Sequence, residues 1–298
     1  MTKLSSSEPV HHIGRLALVI CHLLPLIVLS ACASPDAAWD RVRETGILRV
    51  GMDASFPPFE AIAADGMLVG FDVDLALELG RRLGPALSAD ATSAAEGVEV
   101  QFVANLPYDG LYDALAVGAD RGRLGVDVVI SALVVNPARV ADFAYSTPYF
   151  DAGQVLVVRV GETAVEGRCP EPVEGMTDLS GCTLAVEFGT RGDLEARKWA
   201  RRLFGLAVVP HQTAAEALEA AASGEADAAL VDRVSALAVI GVDGGLAIVG
   251  EQVVEEPYAV VVCSGSQHLL QAINEALEDM EADGTMERLV AEWLEGGS

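Results

Sequence analysis

Basic residues are scarce in this chain. Its 298 residues include 19 Lys and Arg against 44 Asp and Glu, a formal charge of −25. A surface of that sign repels phosphate backbones, which sets nucleic acid aside as a partner. The acidity favours solubility and names no partner of its own. Long apolar runs are scarce too: apart from residues 16–29, no stretch is long and apolar enough to span a bilayer. No lysine-bearing phosphate loop is present. The nearest approach, Phe188-Gly189-Thr190-Arg191-Gly192-Asp193, is too short and lacks the lysine, which argues against nucleotide binding. Cysteine occurs five times, at spacings that do not suggest a zinc site. No cofactor or metal is expected. What the chain has is apolar content, 51%, ample for one large domain or two modest ones.

The apolar run Leu16 to Leu29 is preceded by Lys3 and Arg15 and broken by His22 and Pro25. Its length suits the apolar region of a signal peptide. It ends in Leu29-Ser30-Ala31-Cys32, which resembles the lipobox of bacterial lipoproteins. That resemblance implies removal of residues 1–31, acylation of the Cys32 thiol and a tether over 32–38. Two acyl chains hold a membrane stably where one is marginal. The plainer alternative is an ordinary secretory signal cleaved nearby. Cys21 leaves with the signal. Cys169 and Cys182 bracket a Pro/Gly-rich loop; in an exported protein they read as a disulfide, against two unrelated reduced thiols. Cys263 follows Val260-Val261-Val262 and reads as a buried apolar residue.

Beyond the tether the pattern alternates. Trp39 to Thr45 reads as a helix stopped by Gly46, and Ile47 to Gly51 as a strand. Two prolines make Asp53 to Glu60 a loop after it, with Phe59 as a core plug and Phe56 as a cleft wall. Asp72 to Leu83 has a helical stripe ended by Gly84-Pro85, and residues 86–97 read as loop. A strand at Val98 to Val103, a helix at Leu106 to Val117 and a strand at Val128 to Ile130 follow. Strand, helix, strand, helix, strand predicts an α/β unit with parallel strands. In such sheets ligands bind at the carboxyl ends of strands, where Asp53, Phe56, Tyr108, Ser131 and Arg139 all fall.

The stretch Ser131 to Phe150 carries the sharpest local signal. Asn136-Pro137 reads as a helix start, with Asn as N-cap and Pro at the first position. Arg139 then sits in a first turn, where free N–H groups favour anions. Its planar fork suits a carboxylate, and Ser131 is placed to donate a further bond. The alternative is a solvated surface arginine. A second unit follows, with strands at Gly153 to Val160, Thr183 to Glu187 and Ala226 to Val231, the last delivering Asp232. Helices are expected at Leu194 to Leu203, from the capping box Thr213-Ala-Ala-Glu216 to Gly224, at Gln267 to Asp283 and at Met286 to Leu294. The Gly189-Thr190 turn before a helix makes a second anion-friendly terminus. A strand at Ala259 to Cys263 returns to the first unit.

Taken in order, Asp53-Ala-Ser-Phe-Pro-Pro-Phe-Glu60, Gly70-Phe-Asp-Val-Asp-Leu-Ala76, Tyr108-Asp-Gly-Leu111, Asn136-Pro-Ala-Arg139, Phe143 to Tyr149, Gly189-Thr190 and Ala226-Asp-Ala-Ala-Leu-Val-Asp232 resemble bacterial extracellular solute-binding protein family 3, the polar amino-acid receptors of ABC importers. The resemblance covers roughly Trp39 to Leu294. It implies the two-lobed type II periplasmic binding protein fold, two α/β lobes joined by two hinge strands. Lobe 1 would span 39–152, lobe 2 153–255, and 256–298 would return to lobe 1. By motif, Arg139 holds the ligand α-carboxylate with Ser131 and the Gly189-Thr190 turn. Asp232 holds the ammonium, Phe56 and Tyr108 sandwich the side chain, and Asp53 reads polar side chains. Departures are Val134, Asn136, Ala138 and Arg191 at positions where the family commonly has other residues. Arg191 would reach an acidic ligand side chain or pair with Asp193.

The leading expectation is thus a monomeric, lipid-anchored amino-acid receptor of the cell envelope that docks to a membrane permease. A dehydratase-type enzyme on the same fold, acting on a cyclic carboxylate, would need Glu60 or Glu187 as general acid or base. A ligand-sensing receptor domain is the third reading.

Overall fold

The computed structural model describes residues 36–87, 97–118, 125–160, 169, 172–243 and 245–295. The signal segment, Cys21, Cys32 and most of the Ala/Ser/Thr-rich stretch after Leu87 lie outside the described residues.

The first described residue is already part of the fold. Asp36 is buried and accepts the N–H of Trp39 at 3.0 Å, capping helix α1 (Ala37–Thr45). It also accepts the N–H groups of His268 and Leu269, at 2.6 and 3.2 Å. The tether expected over 32–38 therefore does not extend to Ala38; Asp36 is locked by three donors. Gly46 ends α1 in the left-handed region, at φ +67°, where glycine pays no Cβ penalty.

Lobe 1 is built on a five-stranded sheet. β1 (Ile47–Gly51) runs parallel to β5 (Glu99–Val103) and to β6 (Val128–Val129). β15 (Val261–Cys263) lies antiparallel between β6 and β7 (Phe143–Tyr145), so it alone runs against the other four strands. The expected parallel sheet is thus mixed, because β15 is the returning chain. Helix α2 (Phe71–Leu87), the C-terminal helices α7 (Gln267–Ala282) and α8 (Thr285–Trp293), and α1 cover one face. Helix α3 (Leu111–Val117) covers the other.

Several local expectations change. Ser55–Phe56 (β2), Glu60–Ile62 (β3) and Leu68–Val69 (β4) form a small antiparallel sheet, so the Pro57-Pro58 stretch is the turn of a hairpin. The prolines sit between the paired residues and cost the ladder no donor. Gly84-Pro85 does not stop α2, which continues to Leu87. A proline so near a helix end removes one of the last donors only. Residues 108–110 form a 3-10 turn, and the α-helix expected from Leu106 begins at Leu111. Asn136-Pro137 starts a single 3-10 turn, Pro137–Arg139, with the Asn136 side chain accepting the N–H of Ala138 at 3.0 Å.

Lobe 2 has its own five-stranded sheet. β10 (Thr183–Glu187) is flanked in parallel by β11 (Ala207–His211) and β12 (Ala228–Asp232). β9 (Gln154–Arg159) lies antiparallel between β12 and β13 (Leu246–Val254), so it alone runs against the other four strands. The apolar run of β12 is buried from Ala228 to Val231, as a strand covered on both faces requires. α4 (Arg191–Ala200) packs on one face and α5 (Ala214–Ser223) with α6 (Arg233–Asp243) on the other. Helix α4 starts three residues before the expected Leu194, because Thr190 caps it. Strands β11 and β13 and helix α6 were not expected from the sequence pattern. The Cys169 and Cys182 sulfurs are bonded, with Cα atoms 4.8 Å apart. Cys263 is half-buried and its thiol donates to the Leu115 carbonyl at 3.2 Å. Among the described residues no helix is long and apolar enough to cross a membrane.

The chain crosses between the lobes twice, and the crossings pair: β8 (Phe150–Asp151) lies antiparallel to β14 (Pro257–Tyr258). Asp151 Oδ1 accepts the N–H of Gly153 at 3.0 Å, the side-chain amide of Gln252 at 2.7 Å and the N–H of Glu256 at 2.7 Å. Gly153 is pressed against the carbonyl of Val254, where a Cβ would collide. Gly153→Ala is therefore expected to destabilise the protein by about 1–3 kcal/mol, the usual cost of overpacking. Denaturant titration checks this, and wild-type stability would refute the hinge packing described.

Candidate functional site

Three parallel strands of lobe 1 end at one edge of the sheet, and the site begins there. Beyond β1, the Asp53 N–H donates to the Ser131 hydroxyl at 3.0 Å, and Asp53 bridges Asn105 after β5. Beyond β6, the segment Val134 to Arg139 walls a cavity of about 420 Å³ together with Tyr108, Asp109 and Tyr112. Phe56 is 49% exposed and stacks on buried Phe59, with ring centroids 5.7 Å apart. Tyr108 is 53% exposed. Large aromatic surfaces left in water at strand ends suit a ligand platform.

Arg139 is exposed, and its Cζ lies 4.2 Å from the centroid of the Tyr112 ring. Such a cation–π contact contributes ~0.5–1 kcal/mol at an exposed site. No hydrogen bond from the guanidinium to another side chain accompanies it among the described residues. Among the described residues Arg139 enters no ion pair. The Tyr112 hydroxyl is 3.0 Å from that of Tyr145. Burial first, then that bond, hold the Tyr112 phenol above its ordinary range, so it stays neutral beneath the arginine. Tyr112 was absent from the sequence-derived set. Its spacing of one helical turn from Tyr108 was the available signal.

Ser131 departs from its expected role as a ligand donor. It is buried, and its hydroxyl donates to Glu60 Oε1 at 2.6 Å, so its one hydrogen is committed inward. Arg139 likewise sits at the end of a 3-10 turn and not in the first turn of an α-helix. The anion-binding capacity on this side rests on its guanidinium.

Lobe 2 presents the complementary half. β10 and β12 are parallel, so Glu187 and Asp232 end at the same edge. The Gly189 turn, at φ +79°, leads into α4. Asp193 fixes it, accepting the Gly189 N–H at 3.1 Å, while its own N–H donates to the Thr190 hydroxyl at 3.3 Å. Thr190 in turn donates to the Glu187 carbonyl at 2.8 Å. Gly189 and Thr190 thus shape the turn, and the N–H groups of Arg191 and Gly192 in the first helical turn are left for an anion. A Cβ on Gly192 would lie 3.1 Å from the Leu230 carbonyl, which sets the α4 terminus against the strand that ends in Asp232. Asp232 Oδ1 accepts the Ser235 N–H at 2.8 Å, capping α6; its second oxygen remains for a cation.

The two halves meet at the hinge. Val134 bridges Tyr258, and the Val135 N–H donates to the Pro257 carbonyl at 3.0 Å. One residue earlier, Glu256 pairs with Arg191 of α4 at 3.4 Å. The expected partner, Asp193, is instead taken by Arg197 at 2.7 Å, one turn along the same helix. Glu256 also faces Tyr108, whose phenol is raised by burial first and by the charge of Glu256 next. Glu256 went unnoticed in the sequence because its partners are distant along the chain.

The family model for bacterial extracellular solute-binding proteins, family 3, matches residues 48–296. The L-cystine-binding protein TcyJ of Escherichia coli is 28% identical over 287 residues, 95% of this chain and 96% of that protein. The crystal structure of an ancestral cationic amino-acid solute-binding protein is 28% identical, with a TM-score of 0.58, over 86% of this chain and 99% of that one. The unliganded open L-cystine solute receptor of Neisseria gonorrhoeae superposes with a TM-score of 0.66 at 23% identity, over 86% and 96%, a likeness of fold.

Thr190→Ala removes the α4 cap, and an expected loss of about 1 kcal/mol is measurable by thermal or denaturant melting. An unchanged melt would mean that the hydroxyl does not hold the turn.

Proposed function

The chain belongs to the bacterial extracellular solute-binding proteins, family 3, and from that premise we propose that it is the extracytoplasmic receptor of an ABC importer, holding a polar amino acid between its lobes and delivering it to a membrane permease. The observation that carries this reading is the exposed Arg139 guanidinium, placed over the Tyr112 ring and in no ion pair among the described residues, on a chain whose second lobe offers Asp232 and a helix N-terminus. A zwitterion taken out of water needs both charges paired. Arg139 and the Arg191 and Gly192 amides supply the positive half, and Asp232 the negative. Phe56 and Tyr108 flank the side chain, and Asp53 and Glu256 make the cleft acidic. Ligand contacts to both lobes stabilise the closed form only, which is what drives closure about the hinge. On this reading Cys32 carries the lipid anchor on the outer side of the cytoplasmic membrane, and the receptor acts as a monomer. The L-cystine and cationic amino-acid relatives support a polar ligand.

Turnover would need a general acid or base facing the cleft. Glu60, the first candidate, is 1% exposed and bonded inward, which favours binding.

Calorimetry of the exported chain against the standard amino acids tests the proposal. Saturable binding near ~1 μM is expected, about −8 kcal/mol. Arg139→Ala should weaken it by roughly 10- to 100-fold, since hydrogen bonds to charged groups contribute ~1.5–3 kcal/mol. Equal affinity in the variant would remove Arg139 from the site. Binding of no amino acid would sink the receptor reading.

A further inference from the structure

Beneath the lobe 1 half-site lie two carboxyl groups that the function just proposed does not use. Glu60 on β3 and Asp72 in the first turn of α2 are 1% and 0% exposed, and they lie close enough for the charge of one to act on the other. Five further segments close over them. Ser131 donates to Glu60 Oε1 at 2.6 Å. The Ala132 N–H donates to Asp72 Oδ2 at 2.6 Å, from a backbone held at φ +44°. The Tyr149 hydroxyl reaches the same oxygen at 3.1 Å. Asp53 faces Glu60 from the β1 end, as Tyr108 does from beyond β5, and Tyr258 faces Asp72 from β14. Among the described residues neither carboxyl group enters an ion pair.

Two adjacent carboxylates with no cation cannot both ionise in a low-dielectric interior. Glu60 Oε2 and Asp72 Oδ1 are buried and find no donor in the protein; a proton held between the two groups provides one. The donors decide where it resides. Asp72 accepts a backbone N–H and a phenol and stands at a helix N-terminus, all of which favour its anion. Glu60 has the Ser131 hydroxyl alone. Burial, and then the charge of Asp72, raise Glu60 from 4.5 to about 10, while burial raises Asp72 to about 6.

We propose that Glu60 is a neutral carboxylic acid at physiological pH and a positioning residue for ligand binding: its proton bonds Asp72, its other oxygen orients the Ser131 hydroxyl, and that oxygen holds the Asp53 amide where β1 enters the cleft. The effect on affinity rests on the receptor reading above; the protonation does not. A folded-state value raised above 4.5 means that the stability supplied by neutral Glu60 is complete below 4.5 and is lost as pH rises towards about 10.

The decisive comparison is wild type against Glu60→Gln, an isostere of the neutral acid that donates to Asp72 and accepts from Ser131. Infrared spectra of the whole protein at neutral pH should show a protonated-carboxyl band that the variant lacks. The variant should bind like wild type at neutral pH and keep the Asp53 amide resonance in place. It should also lack the decline in melting temperature and affinity that wild type shows on going alkaline. Glu60→Leu, which leaves Ser131 without its acceptor, should move the Asp53 resonance and weaken binding about tenfold. No glutamine-sensitive band, or an alkaline decline unchanged in the glutamine variant, would overturn the proposal. If wild type binds no amino acid, the receptor reading falls, while the band and the Asp53 resonance still decide the place of the proton.

Discussion

A single oxygen of Asp151 accepts three donors, from Gly153, Gln252 and Glu256. Those donors belong to the chain leaving lobe 1 and to the chain coming back. Charge-assisted bonds of this kind are about twice as strong as neutral ones, and here they fasten the two crossings into one two-stranded pivot. The rest of the site depends on that fastening. With the crossings tied, the α4 terminus and Asp232 are carried on one pivot shared with the strand ends of lobe 1. The close packing of Gly153 on the Val254 carbonyl leaves the pivot no slack for a side chain.

Cationic side chains are concentrated at the cleft of a chain that has few of them. The protein carries −25, yet the cleft pairs two arginines with three acids in fixed places. Arg139 is held by an aromatic face, and Arg191 by Glu256 at the hinge. The Arg191 pair is partly exposed, where an ion pair contributes ~0–1 kcal/mol. It is weak enough to be broken without large loss. Arg139 enters no ion pair among the described residues, so none has to be broken there.

Much of this was legible in the sequence because it is local. Strand β1, the Gly46 stop, the Thr213 cap, the last two helices and Phe59 as a core plug all follow from residues within a turn or two of one another. The positions of Asp53, Phe56, Tyr108 and Arg139 at strand ends follow from element order alone. What the sequence hid is non-local. The Ser131 hydroxyl looks free until Glu60, 71 residues away, is folded beside it. Arg191 has a nearby acid in Asp193, but helix geometry gives that acid to Arg197 and turns Arg191 towards the hinge. The Pro57-Pro58 hairpin was hidden for another reason: a proline forbids a ladder only at positions that must donate, and pairing here begins on either side of it.

Asp36 binds the start of the described chain to the start of α7, and both ends of the described residues lie in lobe 1. Lobe 2 is topologically an insertion whose two attachment points are neighbours. Whatever holds the chain at Asp36 therefore holds lobe 1, and the two crossings lie outside that attachment.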